Sequence, residues 1–220
     1  MAPCLTQMEW NNMAISINEI FQSAGLSPKG PVAWGEKFEA KYSGVYLVAL
    51  TDDPTSKEPH SESFGLDSKT FKNWIQIAHK LEVNGKKATR PEQIKSELRQ
   101  FWSQKENILY IGQSSSSTTN LYQRVKAYYS HKVGQQGAHT GGYWLKLLSC
   151  LNKTSIYYAK AVNPREAEFK MIMKYIEMTT GSSFYELNNL SKHLPFANLK
   201  VDILKPHLIK YATKPKEEGE

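Results

Sequence analysis

The chain has 220 residues and a formal net charge of +7, and hydrophobic residues make up 40% of it. This length buries a core without disulfides or structural metal. No apolar run approaches the roughly 20 residues that span a bilayer, which excludes a membrane-spanning protein. Cys4 and Cys150 lack the CxxC or Cys/His spacing of a zinc site, and the N-terminus lacks a secretory pattern. We therefore expect a cytoplasmic protein without a membrane partner.

The first predicted elements are a helix over residues 8 to 25 and a connection through Gly35. They form an N-terminal helical appendage over residues 1 to 42. The run from Gly44 to Leu50 is short, apolar and followed by acidic residues, which is typical of a buried strand. The run from Asn107 to Gly112 has the same character and predicts a second strand.

Two amphipathic helices are predicted between these strands, one around Trp74 and one around Leu98, and Pro91 suits the first turn of the second helix. The remaining predicted elements are a helix at 118–130, a short helix at 142–150, a strand at 154–162 and a helix from 163 to 178. Residues 200 to 220 form a C-terminal segment, and its last residues, 214 to 220, have the composition of a disordered tail.

The positive charge is concentrated in one part of the chain. No Asp or Glu occurs from Asn107 to Arg165, although this stretch is rich in lysine and aromatic residues. Such a surface suits a polyanion, so we predict DNA contacts at Lys126, Lys132 and Lys146. The alternative is a solvated basic face that has no partner.

Two tripeptides suggest a family. Gly44-Val45-Tyr46 and Tyr110-Ile111-Gly112, followed by Arg124 on a helix, resemble the motifs of the GIY-YIG nuclease superfamily. Tyr128, Glu168 and a Pro195-to-Asn198 segment then follow in the family order. Either tripeptide alone carries no weight, because apolar triplets with a tyrosine are common. Five elements in the family order are much harder to obtain by chance.

The resemblance implies an α+β fold, a small antiparallel sheet flanked by helices, with its nuclease core at 43–50 plus 107–199. Family members usually join the two tyrosine strands by a short hairpin. Here a helical insertion at 51–106 lies between these first two strands, and we expect it to help select the DNA target. An antiparallel pair tolerates such an insertion, because the ladder does not restrict what connects its strands.

The resemblance also implies roles for the site residues. In family members the first tyrosine, here Tyr46, is assigned to activating the attacking water, and the second, here Tyr110, supports it. Alternation along the strands predicts that Tyr46 shares a face with Val48, and Tyr110 with Ile108. A tyrosine with a pKa near ~10 would need a nearby cation to act efficiently as a base.

Arg124 and Tyr128 are four residues apart and therefore share one helix face, where a guanidinium suits phosphate. Tyr128 occupies a position at which family members have His or Tyr. Asn198 matches the asparagine that closes the family pattern and is expected to orient other site groups. For Asn198 a simple turn role after Pro195 is the alternative.

Helical geometry separates the two candidate glutamates. With Asn163 as N-cap and Pro164 at the first helical position, Glu166 falls where a capping-box carboxylate belongs, and it can pair with Lys170. Glu168 instead shares a stripe with Met171, Ile172 and Tyr175, where a carboxylate needs compensation. We therefore predict that Glu168 holds Mg²⁺ or Mn²⁺ together with phosphate oxygens and waters.

The resulting interpretation is a Mg²⁺-dependent DNA endonuclease that hydrolyses phosphodiester bonds, in the manner of a type II restriction enzyme. Repair or mobility nucleases fit the same pattern. A protein that keeps the fold and binds nucleic acid without cutting it is the main alternative. The sequence leaves a homodimer open.

Overall fold

A four-stranded antiparallel sheet forms the centre of the protein. Its strands are β1 (Lys29–Ala33), β2 (Gly44–Ala49), β5 (Ile108–Ser114) and β6 (Ser155–Lys160), in the order β1-β6-β2-β5. The computed structural model describes residues 14–77, 82–83, 86–88, 90–116, 118–130, 143–188, 190–198 and 209–210. The α+β class and the small antiparallel sheet flanked by helices are confirmed.

Helices cover both faces of this sheet. They are α1 (Ile17–Ser23), α2 (Ser68–Ile77), α3 (Pro91–Arg99), α4 (Leu121–Ser130), α5 (Tyr143–Leu147) and α6 (Pro164–Thr180). Each overlaps a stretch that the periodicity predicts as helical, and Pro91 begins α3 as expected. No helix in the described ranges is long and apolar enough to cross a membrane.

Strand β2 is central, and each of its six residues is buried. Its side chains alternate between two cores, as the two-residue period of a strand requires. Tyr46 and Val48 pack with residues of α2 to α5, whereas Val45 and Leu47 pack with residues of α1 and α6. The sheet therefore separates two hydrophobic layers, and the predicted common face of Tyr46 and Val48 is confirmed.

The prediction that Tyr110 and Ile108 share one face of their strand is wrong. Val48 pairs with Tyr110 and Ala49 with Ile108, so Leu109 is an extra residue in β5. This bulge changes the alternation: Tyr110 packs on the same side as Leu109, and Ile108 lies in the opposite core. The bulge thereby turns Tyr110 towards Tyr46.

The N-terminal part is more than a helical appendage. Strand β1, in a stretch predicted to be a connection, pairs with β6 and forms one edge of the central sheet. Of the predicted first helix, α1 is present, and residues 1 to 13 lie outside the described ranges. Ile17, Ile20 and Phe21 are buried against α6 residues. This segment therefore belongs to the same core as the site strands.

The stretch 51–106 contains strands as well as helices. Short strands β3 (Glu82–Val83) and β4 (Lys86–Lys87) pair with each other, and β7 (Ile209–Lys210) pairs with β3. Trp74 and Leu98 of α2 and α3 are fully buried in the cluster that contains Tyr46. Residues 51–106 consequently complete the main core instead of forming a separate unit on it. The predicted tail at 214–220 lies outside the described residues.

Candidate active site

The two strand tyrosines meet on one face of the sheet. Tyr46 pairs with Gly112, and Tyr110 pairs with Val48, which is two residues after Tyr46 on the same face of β2. The two tyrosines are therefore diagonal neighbours on adjacent strands. Their ring centroids are 5.7 Å apart. Burial raises the pKa of both phenols.

Gly112 makes room for this pair. A Cβ at this position would lie 2.6 Å from Cε1 of Tyr110 and 2.9 Å from Cζ of Tyr46. Gly44 is constrained differently, because its Cβ would lie 2.1 Å from the backbone oxygen of Ala159. A side chain is therefore excluded at the two motif glycines for different reasons. At Gly112 it would collide with the tyrosine rings, and at Gly44 with the backbone of the neighbouring strand.

Helix α4 adds a third tyrosine and a cation. Its N-terminus is capped by Asn120, whose Oδ1 accepts from the Gln123 amide at 2.8 Å. The Tyr128 ring lies 5.7 Å from the Tyr110 ring. Arg124, one turn earlier, is half-buried, and its charge partly opposes the rise that burial causes in the pKa of all three site tyrosines. Its buried Nε makes no hydrogen bond to the described part of the chain.

Burial dominates the electrostatics of these phenols. Desolvation raises the pKa of Tyr46 and of Tyr128 well above 10, and the pKa of Tyr110 to about 12. Arg124 opposes these shifts without reversing them. The protein alone therefore keeps the tyrosines protonated near neutral pH, and a further positive charge is needed before either Tyr46 or Tyr110 can accept a proton readily.

The two glutamates of α6 occupy different environments. Glu166 is exposed, its amide donates to Asn163 Oδ1 at 3.4 Å, and its carboxylate pairs with Lys170 at 2.7 Å. The predicted N-cap and surface pair are confirmed; the carboxylate also accepts from the Asn163 side chain at 3.0 Å. The hydrogen bond from Lys170 keeps the pKa of Glu166 low.

Glu168 is half-buried on the stripe that continues into the buried Met171 and Ile172. Its negative charge adds to the effect of burial in raising the pKa of Tyr110. The described residues contain no group of three or more His, Cys, Asp or Glu side chains arranged to hold a metal. A metal at Glu168 would therefore take its remaining ligands from phosphate and water, as expected for Mg²⁺ or Mn²⁺.

Asn198 contacts the site strand directly. Its Oδ1 accepts from the Ile111 amide at 2.9 Å, and its Nδ2 donates to the Ile111 carbonyl at 2.7 Å. β5 is an edge strand, so this amide takes the place of a neighbouring peptide. The backbone N–H of Asn198 also donates to the Pro195 carbonyl at 2.9 Å. Asn198 thus closes a turn and holds the backbone between Tyr110 and Gly112.

The three lysines predicted to contact DNA differ in their surroundings. Lys126 is exposed on α4, and Lys132 lies outside the described residues. Lys146 is half-buried, its Nζ donates to the Tyr129 carbonyl at 3.2 Å, and burial lowers its pKa to about 8. Lys126 thus presents its charge to solvent, and a role of any of the three lysines in DNA binding stays a prediction.

Three chain segments therefore meet on one face of the sheet: Tyr46 from β2, Tyr110 from β5, and Arg124 and Tyr128 from α4. Glu168 lies on α6, which packs on the other core, and acts on Tyr110 through its charge. Comparison with protein-family models, with curated proteins and with solved structures found no match. The case for a function consequently rests on the motifs, their order and the geometry described above.

Proposed function

We propose that the protein is a metal-dependent DNA endonuclease of the GIY-YIG type. The supporting observation is that side chains far apart in sequence meet around Gly112 in the family's order of motifs. Hydrolysis of a phosphodiester requires activation of water, neutralisation of charge on the phosphate and help for the leaving oxygen. The residues of this cluster have the chemistry for the first two tasks.

Arg124 is the candidate phosphate ligand. Its planar guanidinium carries several N–H donors in the geometry that phosphate oxygens accept, and its Nε is already desolvated. Tyr128 lies one turn away on the same helix, and its ring packs on Tyr110. Together they place a fixed positive charge beside the tyrosine pair, where a scissile phosphate would be held.

Tyr46 and Tyr110 are the candidate groups for proton transfer. Their rings lie 5.7 Å apart, and the charge of Arg124 acts on both phenols. Burial raises the pKa of both phenols, that of Tyr110 to about 12. The family assigns the base to the first tyrosine, and here that residue, Tyr46, is only 1% exposed. Either phenol needs extra positive charge to act as a base.

Glu168 is the candidate metal ligand. A carboxylate oxygen beside a tyrosine pair and a phosphate site fits Mg²⁺ or Mn²⁺. When bound, such an ion supplies positive charge that stabilises the phosphate oxygens and favours ionisation of a neighbouring hydroxyl or water. Glu168 would hold the ion through its carboxylate oxygens, with the remaining ligands supplied by phosphate and water.

The finer assignment is a type II restriction enzyme, with Lys126, Lys132 and Lys146 among the DNA contacts. Exposed residues of the stretch 51–106 are the candidates for reading the target. Repair and mobility nucleases share the same chemistry. Digestion of a long linear DNA distinguishes them: a restriction enzyme gives discrete fragments with identical end sequences, whereas a structure-directed nuclease requires branched or damaged DNA.

A second candidate function is nucleic-acid binding without cleavage. The observation that favours it is the burial of the tyrosines, which raises their pKa and leaves Tyr46 and Tyr128 nearly inaccessible. This candidate predicts phosphate contacts through Arg124 and Lys126 but no requirement for a divalent ion. Its affinity for DNA would fall steeply between about 50 mM and 200 mM salt, as counterion release requires.

A plasmid-nicking assay with and without Mg²⁺ separates the two candidates. The endonuclease proposal predicts Mg²⁺-dependent conversion of supercoiled to open-circular or linear DNA. Tyr110→Phe should abolish it, while Tyr185→Phe, at a tyrosine that is 76% exposed, should not. Salt-sensitive binding without cleavage at any divalent ion would instead support the binding function and overturn the nuclease.

A further inference from the structure

A segment before the first motif holds the helix that carries Arg124 and Tyr128. Residues 34–42, which we term the strap, run along α4 between β1 and β2. The Leu121 amide donates to the Tyr42 carbonyl at 2.8 Å, and the Tyr122 amide donates to the Ala40 carbonyl at 3.1 Å. The strap therefore satisfies the free amides at the N-terminus of α4.

The strap also contacts the other end of the same helix through Trp34. The Trp34 ring lies edge-to-face on Tyr128, with centroids 5.4 Å apart, and on Tyr129, with centroids 5.0 Å apart. Both distances are in the range in which aromatic pairs attract. Trp34 thus completes a row of rings that continues through Tyr128 and Tyr110 to Tyr46.

The backbone fixes the position of the Trp34 ring. The Trp34 amide donates to the Thr154 carbonyl at 3.1 Å, directly before β6. The next residue, Gly35, has φ 94°, and the Glu36 amide donates to the Ala33 carbonyl at 3.1 Å. The chain is anchored to the sheet through Ala33 and Trp34 and then turns at Gly35, which places the indole against Tyr128, so Trp34 is suited to hold Tyr128 in place.

We propose that Trp34 is a positioning residue of the site: it presses Tyr128 against Tyr110 and so sets where α4 places Arg124. The proposal rests on the nuclease function proposed above. It extends the site beyond the family motifs, to a residue that precedes the first tyrosine strand. Because Arg124 and Tyr128 share one helix face, a shift of α4 that follows the loss of the indole moves both. Displacement of a positioning group by about 1 Å is enough to reduce turnover strongly.

The test compares three variants with the wild type. Trp34→Leu removes the ring, Trp34→Phe keeps a smaller ring, and Phe38→Leu is the matched control. Phe38 is also a strap aromatic that packs on α4, and its ring neighbours are Tyr122 at 5.3 Å and Tyr158 at 4.4 Å. For each protein, kcat and KM are measured on supercoiled plasmid, together with the melting temperature.

A second readout does not depend on cleavage. Tyrosine labelled with ¹³C at Cζ gives one resonance per ring, and the Tyr110 and Tyr128 resonances are assigned from Tyr110→Phe and Tyr128→Phe. Trp34→Leu should move both resonances and lower kcat at least about tenfold with KM within about threefold. Trp34→Phe should recover most of kcat. Phe38→Leu should lower the melting temperature but leave kcat within about threefold.

Two results would overturn the proposal. One is a loss of kcat in Phe38→Leu that equals the loss in Trp34→Leu at the same melting temperature, which would make the effect one of stability. The other is unchanged Tyr110 and Tyr128 resonances in Trp34→Leu. If the wild-type protein does not cleave DNA, the nuclease function fails and the resonances alone decide the role of Trp34.

Discussion

At the scale of single residues, the site depends on how much space each position leaves. Gly112 faces two tyrosine rings that pass within van der Waals distance of its missing side chain. Gly44 faces the backbone of β6. Side-chain rings can move aside for a methyl group, whereas a paired strand cannot, so the same substitution has different consequences at the two glycines.

Gly112→Ala should therefore damage the site more than the fold. The added methyl group displaces Tyr110 and Tyr46, and overpacking of this kind costs about 1–3 kcal/mol. We expect the protein to fold with a modestly lower melting temperature and to lose most of its nicking activity. Gly44→Ala should do the reverse and lower the melting temperature more. Equal activity in Gly112→Ala and wild type would show that the tyrosine pair has no role in cleavage.

The two glutamates of α6 provide a second comparison. Glu168→Gln removes the charge proposed to hold the metal, so Mg²⁺-dependent nicking should fall at least about 100-fold while DNA binding is retained or strengthened. Glu166→Gln removes a surface ion pair with Lys170, and such pairs contribute little. Its activity should stay within about threefold. If Glu166→Gln is inactive and Glu168→Gln still cuts, the metal site belongs to Glu166.

The sequence pattern predicts where the helix that carries the two glutamates begins. It does not predict contacts between residues that are far apart in the chain. Asn163 and Pro164 define the start of α6, and that start places Glu166 outside and Glu168 on the buried stripe. Trp34 could not be found in this way, because its partners Tyr128 and Tyr129 are distant in the chain. Neither hydrophobic periodicity nor a helix cap gives information about a contact between such distant residues.

At the scale of elements, β5 is the critical strand, since it carries Tyr110 and Gly112 but has a sheet neighbour on one side only. Residues 195–198 cover its other edge. The Ala197 amide donates to the Leu109 carbonyl at 2.8 Å, and Asn198 adds both of its bonds to Ile111. The bulge at Leu109 and the position of β1 at the sheet edge were not predicted from the sequence. Both depend on how strands pair with each other, and the alternation of residues within one strand gives no information about pairing.

Asn198→Ala should release this edge. It leaves the buried amide and carbonyl of Ile111 without their side-chain partner, at a cost of about 1–3 kcal/mol in the free energy of unfolding. Denaturant unfolding measures the cost, and hydrogen exchange at the Ile111 amide should become faster. Asn198→Asp keeps an acceptor and should restore protection only partly. An unchanged exchange rate in Asn198→Ala would show that the pair is not what orders β5.

At the scale of the whole molecule, the regions outside the motifs cannot be removed from the core. Trp74, Ile94 and Leu98 of the stretch 51–106 lie in the cluster that contains Tyr46 and Trp144. Replacing residues 55–104 by a short turn would expose this cluster. Our expectation that the stretch helps select DNA is therefore better tested through its exposed side chains than by deletion.

The start of the described chain is joined to the end of this stretch by one buried carboxyl group. Glu106 is 7% exposed, and its Oε2 accepts from the Ile15 amide at 3.2 Å. Burial raises its pKa from 4.5 to about 7, a shift that the Ile15 hydrogen bond opposes. Between those two pH values the folded protein keeps a proton that the unfolded chain has lost. The stability that the protonated Glu106 carboxyl contributes to the folded protein is therefore lost as the pH rises through this window.

Replacing Glu106 by Gln should remove this pH dependence. The amide oxygen still accepts from Ile15, and no charge has to be buried above about pH 7. Near pH 4 the two proteins should have similar free energies of unfolding, whereas at about pH 8 the variant should be more stable by about 3 kcal/mol. Urea unfolding across this range measures the difference, with Glu58→Gln as a control for the loss of an exposed carboxylate. A Glu106→Gln curve parallel to the wild-type curve at every pH would mean that Glu106 is ionised in the folded protein and that burial does not control its proton.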